Sequence, residues 1–308
     1  MDIAFKGEHL LPGQLGQFFI VLAFASALFS AISYFFSVKN PNDNSWLKMG
    51  RIGAIINLIA VLGIGFCLYY IIWNFYYEYY YAWAHSSRTL PVYYIISSFW
   101  DGQEGSFWLW TFWQAIISMI LIWKAKSWEK PVLAVVMLAQ ALVASMLLGV
   151  ELFGERIGTS PFILLREAIN LRETTPIFAT NPEYYKNYLT YIKDGNGMNP
   201  LLQNYWMVIH PPTLFLGFAS MIVPFAYAIA GLWQKRYKDW VKPAITYSLF
   251  AIMVLGTGII MGSFWAYESL TFGGFWAWDP VENASIIPWL ILVAALHVLV
   301  IYKNTGHS

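Results

Sequence analysis

The stretch LGQFFIVLAFASALFSAISYFF, residues 15–36, carries no charge over 22 positions and decides the fold class. An α-helix rises about 1.5 Å per residue, so this run spans the roughly 30 Å hydrocarbon core of a bilayer. No basic region or small-residue cleavage site precedes it, so Leu15–Phe36 is expected to stay in place as a first span rather than be removed as a signal peptide. Further apolar runs of spanning length follow at about 51–75, 106–123, 131–153, 207–233, 243–263 and 286–302, the third being the shortest. Trp and Tyr gather at their ends, as interfacial belts require. The sequence therefore predicts an all-α polytopic membrane protein of about seven transmembrane helices, forming one membrane domain over 1–308 with no internal repeat.

Composition agrees. Apolar residues make up 58% of the 308-residue chain and charged ones 11%, and the mean hydropathy is +0.53. A soluble domain of this length needs more charge to cover its surface. A net charge of +1 offers no basic footprint for nucleic acid. The single cysteine, Cys67, lies inside an apolar run, which excludes an intrachain disulfide or thiolate metal site.

The basic residues set the predicted orientation. The loops after the first, third and fifth runs, with the C-terminal tail, hold eleven cations and three acids; the other side holds seven cations and fourteen acids. The positive-inside rule then puts the N-terminus outside and the C-terminus in the cytoplasm. Three long segments face outward: 76–105, 154–206 and 264–285. The segment 154–206 carries Tyr184, Tyr185, Tyr188, Tyr191 and the turn Asp194-Gly195-Asn196-Gly197, and it reads as a small ordered extramembrane cap, because tyrosines need something to pack on.

The chemistry concentrates in GSFWAYESLTFGGFWAWDPVENASIIPWL, residues 262–290. Phe264, Trp265, Tyr267, Phe272, Phe275, Trp276, Trp278 and Trp289 crowd one outer loop and its flanks. Gly273 and Gly274 permit a tight turn and close approach of backbone to a ligand. Asp279 and Glu282 are ionisable groups at the membrane surface beside Pro280, which suits a helix start. Broad aromatic faces with a few polar groups, for propionates or for fixing the loop, suit a porphyrin. An interfacial belt would scatter the same residues.

The segment GGFWAWDPVENAS, 273–285, resembles the WWD motif of the heme-handling family of cytochrome c biogenesis, the group containing CcmF, CcmC and CcsA. WDGQEGSFWLW at 100–110 and GMNPLLQNYWMVIHPPTLFLGF at 197–218 resemble the CcmF-type branch, the heme lyase component, and most nearly its N-terminal half. Phe272 and Phe275 stand where tryptophan is usual, and Ala277 replaces an aromatic.

Imidazole is the usual axial ligand of heme iron. His210, in Ile209-His210-Pro211-Pro212, is expected at the outer start of the fifth span, held by prolines suited to a first helical turn. The resemblance implies that it is one of two outer histidines on the heme being transferred. His297 lies about 16 Å along the axis from Ile286, near mid-membrane, where an ionisable side chain is functional by default. The resemblance implies that it ligates a resident heme b. His9, His85 and His307 have no supporting motif and are expected not to be axial ligands. Trp100, Asp101, Gln103 and Glu104 precede the third span and are assigned to structure around the active face; Asn283 belongs to the motif loop.

The implied function is heme handling and covalent attachment to apocytochrome c on the outer face of a bacterial inner membrane, with no nucleophile from this chain. The alternative is a heme exporter. The implied partners are a heme chaperone, the apocytochrome, other maturation subunits and a second chain or further C-terminal half, since family members of this type are about twice as long. His210 and His297 each stand alone at their depth, so the chain by itself is expected to bind heme poorly.

Overall fold

A computed structural model describes residues 5–152, 154–269 and 274–306. Seven of its helices are long and apolar enough to cross a membrane. They are α1 (Leu10–Lys39), α2 (Asn44–Trp73), α3 (Gln103–Lys124), α4 (Glu129–Ser145), α5 (Trp206–Trp233), α6 (Val241–Ser269) and α7 (Pro280–Thr305). The all-α polytopic class read from the sequence is what the chain adopts.

The apolar runs locate the helices but not their ends, because helical hydrogen bonding continues through polar flanks once a nucleus exists. Residues 264–269 are therefore the last turns of α6 and 280–285 the first turns of α7, so the segment 264–285 is not one loop. The run 131–153 is overextended in the other direction. Helix α4 ends at Ser145, and Gly149 and Gly158, with φ of 60° and 69°, turn the chain into a two-stranded antiparallel ribbon, Val150–Leu152 against Glu155–Ile157. With the 3-10 turn that leads into it, the α4 span covers Lys126–Ser145, and at 20 residues it is shorter than the 22 of α3.

Helix α1 lies against α2 and α4, while α5 lies against α6, α3 and α4. The α1 face buries Gly13, Gly16, Ala23, Ala27, Ser30 and Ala31. Small residues let backbones approach, the main route to helix association where lipid removes the hydrophobic contrast. A Cβ at Gly53 of α2 would lie 3.1 Å from the Ser30 Cα. Buried amides join the same helices: Asn57 donates to the Ala23 carbonyl at 2.8 Å, and the Gln140 amide donates to Asn57 Oδ1 and the Thr111 carbonyl, both at 3.0 Å. Arg51 of α2 grips Glu129 of α4 through two 2.7 Å bonds, and the Tyr34 hydroxyl of α1 donates to the same carboxylate. Helix α7 is the exception. Only 17% of its apolar window is buried, and its principal neighbour is α6.

The segments joining α2 to α3 and α4 to α5 meet at one end of the bundle, opposite the basic loops. Backbone bonds tie them together, including Tyr80 N–H to Ile163 O, Leu165 N–H to Glu78 O and Asn196 N–H to Trp83 O. Their own small core holds Leu165, Leu171, Phe178 and a fully buried Tyr188, with Phe5, Trp83 and Tyr185 around it. Glu8 accepts from the Tyr188 hydroxyl at 2.9 Å and from Arg166 Nε at 2.8 Å, which fastens the residues before α1 to this cap. The segment 154–206 is thus bonded to 76–100, whose Tyr79, Tyr81, Leu90, Tyr94 and Phe99 also bury against α1 and α2 and seat the cap on the bundle.

Candidate functional site

At the cap end, α5, α6 and α7 enclose a cleft of about 190 Å³. His210 lines it from α5, Gly262 and Trp265 from α6, Trp276 from the connecting loop, and Asp279 and Glu282 from the start of α7.

Helix α5 begins at Trp206, so His210 stands one turn inside it, and Pro211 and Pro212 lie in the helix interior rather than in the first turn expected from the sequence; the Met207 carbonyl, which loses its usual N–H donor to Pro211, is bonded by the Trp100 indole instead. The His210 Nδ1 lies 2.9 Å from the Gly258 carbonyl. A carbonyl can only accept, so Nδ1 carries the proton and Nε2 keeps its lone pair. That is the tautomer an axial imidazole requires. The Trp265 ring stands edge-on to the imidazole at 5.8 Å. Glycines make the close α5–α6 approach possible. A Cβ at Gly217 would lie 2.6 Å from the Leu255 Cα, one at Gly258 2.9 Å from the Leu214 Cα, and one at Gly262 2.9 Å from His210 Cε1.

The aromatic loop is held by its own polar groups. Asp279 caps α7, accepting from the Val281 and Glu282 N–H groups at 2.7 and 2.8 Å, and Glu282 reaches back to the N–H groups of Asp279 and Ala277. This reciprocal capping box commits both acids to fixing the loop. Asn283 donates to the Trp278 carbonyl at 2.9 Å. Trp278 has a left-handed φ of 59°, which an L side chain adopts at a cost of about 1–3 kcal/mol. Its ring is exposed and meets Trp276 edge-on at 5.5 Å. Gly274, with φ 122°, supplies the turn that no other residue makes easily. Phe275 packs edge-on to Phe264, which stacks with Trp206 of α5. Phe272 and Gly273 lie outside the described residues, as does His307.

The indole N–H groups of Trp265 and Trp276 are buried without a partner among the described residues. Two orphaned donors beside a lone-pair imidazole are a demanding arrangement to leave unused, since a buried unpaired N–H costs about 1–3 kcal/mol. A ligand with an aromatic face and acceptor groups fits the donor set.

His297 is placed elsewhere. It sits seventeen residues into α7, about 25 Å along the axis from Pro280, on an exposed face. Its Nδ1 lies 2.8 Å from the Val293 carbonyl, which again leaves Nε2 as the acceptor. No group of three or more His, Cys, Asp or Glu side chains with metal-binding geometry occurs among the described residues. The other motif residues build the start of α3. Trp100 Nε1 donates to the Met207 carbonyl at 2.8 Å, tying this start to α5 just before His210, while Gln103 and Glu104 form the first turn. Asp101 Oδ2 lies 2.7 Å from His85 Nδ1, and His9 Nδ1 lies 2.9 Å from Glu78, so both of these histidines are engaged within the cap.

Two site residues carry no motif signal that singles them out. Gly262 matters only through what faces it. Glu268 accepts from Trp206 Nε1 at 3.0 Å, from the Tyr205 hydroxyl at 3.2 Å and from Asn204, closing the cap end of α6 onto α5. An acid at the end of an apolar run was the available hint for Glu268.

The bundle and its loop define a multi-pass membrane protein with a tryptophan-walled cleft at a helix–loop–helix junction. Residues 100–307 match the family described as cytochrome C assembly protein, and the chain belongs to that family. It is 32% identical over 302 residues to the cytochrome c-type biogenesis protein CcmF of Pseudomonas fluorescens, covering 95% of this chain and 40% of that one. It is 31% identical to the biogenesis protein NrfE of Haemophilus influenzae, covering 96% and 42%. The solved structure of a cytochrome c heme lyase CcmF superposes with a TM-score of 0.73 at 25% identity, over 99% of this chain and 44% of that one. The chain thus spans about two fifths of the length of these relatives and matches the N-terminal part expected from the sequence.

Proposed function

We propose that the chain holds heme at the cap-end cleft for covalent attachment to apocytochrome c, as part of a heme lyase. The observation that carries this reading is the His210 tautomer: the Gly258 carbonyl accepts the Nδ1–H bond, which leaves Nε2 as a ligand atom beside two indole donors that have no partner among the described residues. The cleft, at about 190 Å³, is below the usual range of about 300–1,000 Å³ for enclosed small-molecule pockets. It therefore suits one edge of a macrocycle, with the rest left outside against Trp278 and reachable by a protein partner.

In thioether formation a cysteine S–H adds across a vinyl C=C, sulfur bonding one carbon and hydrogen the other, with no net redox change. The incoming protein supplies the nucleophile. The work of this chain is positioning, which can contribute several kcal/mol to a barrier by removing rotational freedom. His210 fixes the iron, Trp276 and Trp278 fix the plane, and the capping box of Asp279 and Glu282 fixes both tryptophans. His297 would be one ligand of a resident heme b, which would keep the iron of the transferred heme reduced; the second imidazole would come from a further chain or segment, alongside a heme chaperone and other maturation subunits. The cap end faces the periplasmic side of the inner membrane in this account, with the basic loops cytoplasmic.

The test is a maturation assay in membranes containing the chain and its partner subunits, scored by heme covalently retained on apocytochrome c after denaturation. His210→Ala is expected to lower retained heme at least tenfold. Wild-type levels in that variant would remove the proposal. Outward heme transport, the alternative, predicts that heme still crosses but that no thioether step depends on the cap.

A further inference from the structure

At the basic end, on the opposite side of the bundle from the His210 site, α5, α6 and α7 diverge around a second and larger cleft of about 770 Å³. Its walls are almost wholly apolar, and Phe225, Leu232, Ile291 and Val298 in them are each about half exposed or more, so the cleft opens onto the lipid-facing surface. Pro224 of α5 and Pro288 of α7 stand in the walls, each removing one helix hydrogen bond where tight closure would be needed.

Two features make this more than an apolar face. The first is a hydroxyl. Ser248 is fully buried, lines the cleft and has no hydrogen-bond partner among the described residues. Serines and threonines in apolar helices normally donate to the carbonyl four residues back, as Ser118, Ser220, Thr257 and Ser263 do here at 2.6–3.0 Å. Ser248 does not. Ser33 and Ser37 share that lack, but neither lines this cleft. The second is charge. Tyr237, Trp240, Val241 and Tyr302 rim the basic end of the cleft, and next to them in sequence stand Lys238, Lys242 and Lys303, all exposed and, among the described residues, in no ion pair. Arg236, by contrast, is already bonded to Asp239.

We propose that this cleft binds an anionic glycerophospholipid. An acyl chain fills the apolar space, the phosphate meets Lys238, Lys242 and Lys303, and an ester carbonyl accepts from the Ser248 hydroxyl. The depths agree. Ser248 is six residues below Lys242 on α6, about 9 Å along the axis, and a glycerophospholipid carries its ester groups beneath its phosphate. The lipid adds a second neighbour, besides α6, shared by α5 and the lightly packed α7.

The test is native mass spectrometry of the full chain in detergent, offered phosphatidylglycerol and phosphatidylcholine with the same acyl chains. Phosphatidylglycerol is expected to be retained in preference. Replacing each lysine by Gln should lower that preference about fivefold, since one basic residue near an anionic headgroup contributes on that scale. These side chains are exposed, so folding is not at stake. Ala295→Trp, which fills the cleft, should lower retention of both lipids, and Ser248→Ala should lower both about fivefold through the shared ester. Equal retention of the two lipids would overturn the proposal. So would a preference untouched by the triple lysine replacement, undiminished retention in Ala295→Trp or Ser248→Ala, or co-purification of a neutral amphiphile in place of phosphatidylglycerol.

Discussion

Gly262 faces His210 across the α5–α6 contact so closely that a Cβ on residue 262 would lie 2.9 Å from Cε1 and 3.4 Å from Nε2 of the imidazole. Real Cβ contacts are almost never that short, so any larger residue must turn the ring away from the Gly258 carbonyl. Gly262→Ala is expected to lower heme attachment about tenfold while the helices still assemble, as judged by retained heme alongside the helical circular dichroism signal. Unchanged attachment would mean that the ring orientation is not part of the site.

Glu129 is buried and carries two bonds from Arg51 and one from Tyr34. Removing one member of such a pair leaves the other uncompensated, at about 3–5 kcal/mol when both are buried. Arg51 is partly exposed and can reach water, so Glu129→Ala is expected to cost about 2 kcal/mol, read as a lower unfolding midpoint in denaturant. Arg51→Met with Glu129→Met should recover most of it.

The capping box predicts a local effect. Glu282→Ala frees the Ala277 and Asp279 N–H groups and should cost about 1 kcal/mol, speeding hydrogen exchange at residues 277–283 while α1–α4 stay protected. Exchange that speeds equally throughout would show that the loop is not a separate unit.

Asp194 makes the cap acid-sensitive. Burial pushes its carboxyl up, but bonds from the Tyr77 hydroxyl and from the Arg88 and Gly195 N–H groups, with the Arg88 charge, outweigh it and hold the carboxyl below the usual range. A folded value below the unfolded one gives stability that is complete above about pH 4 and is lost as pH falls through the folded value. Proteolysis near residues 86–90 and 194–197 should therefore rise at pH 3 relative to pH 7. Asp194→Asn should give a cap that is weaker at pH 7 and less sensitive to acid.

How much of this is legible in the sequence depends on the range of the interaction. Residues 15–36 announce a span because apolar periodicity and length are local, and Asp279, Pro280 and Glu282 sit at capping-box spacing. The double role left open for those acids closes only when Glu282 is seen reaching back to Ala277. Helix ends are less legible: residues 264–269 look like loop by composition, yet continue α6 because Glu268 is anchored by Trp206, 62 positions away. Cap pairs such as Tyr77 with Asp194 are 117 positions apart, beyond any local pattern. His297 is conspicuous as an ionisable side chain in an apolar run, but its exposure on α7 follows from how few helices pack there, which composition does not report.

The most direct test of the central claim is the visible absorption spectrum, oxidised and then reduced, of the chain purified with its membrane partners. A six-coordinate heme b spectrum is expected, with one component lost in His210→Ala and a separate component lost in His297→Ala. The absence of heme in every partner combination, or spectra that neither substitution changes, would contradict it.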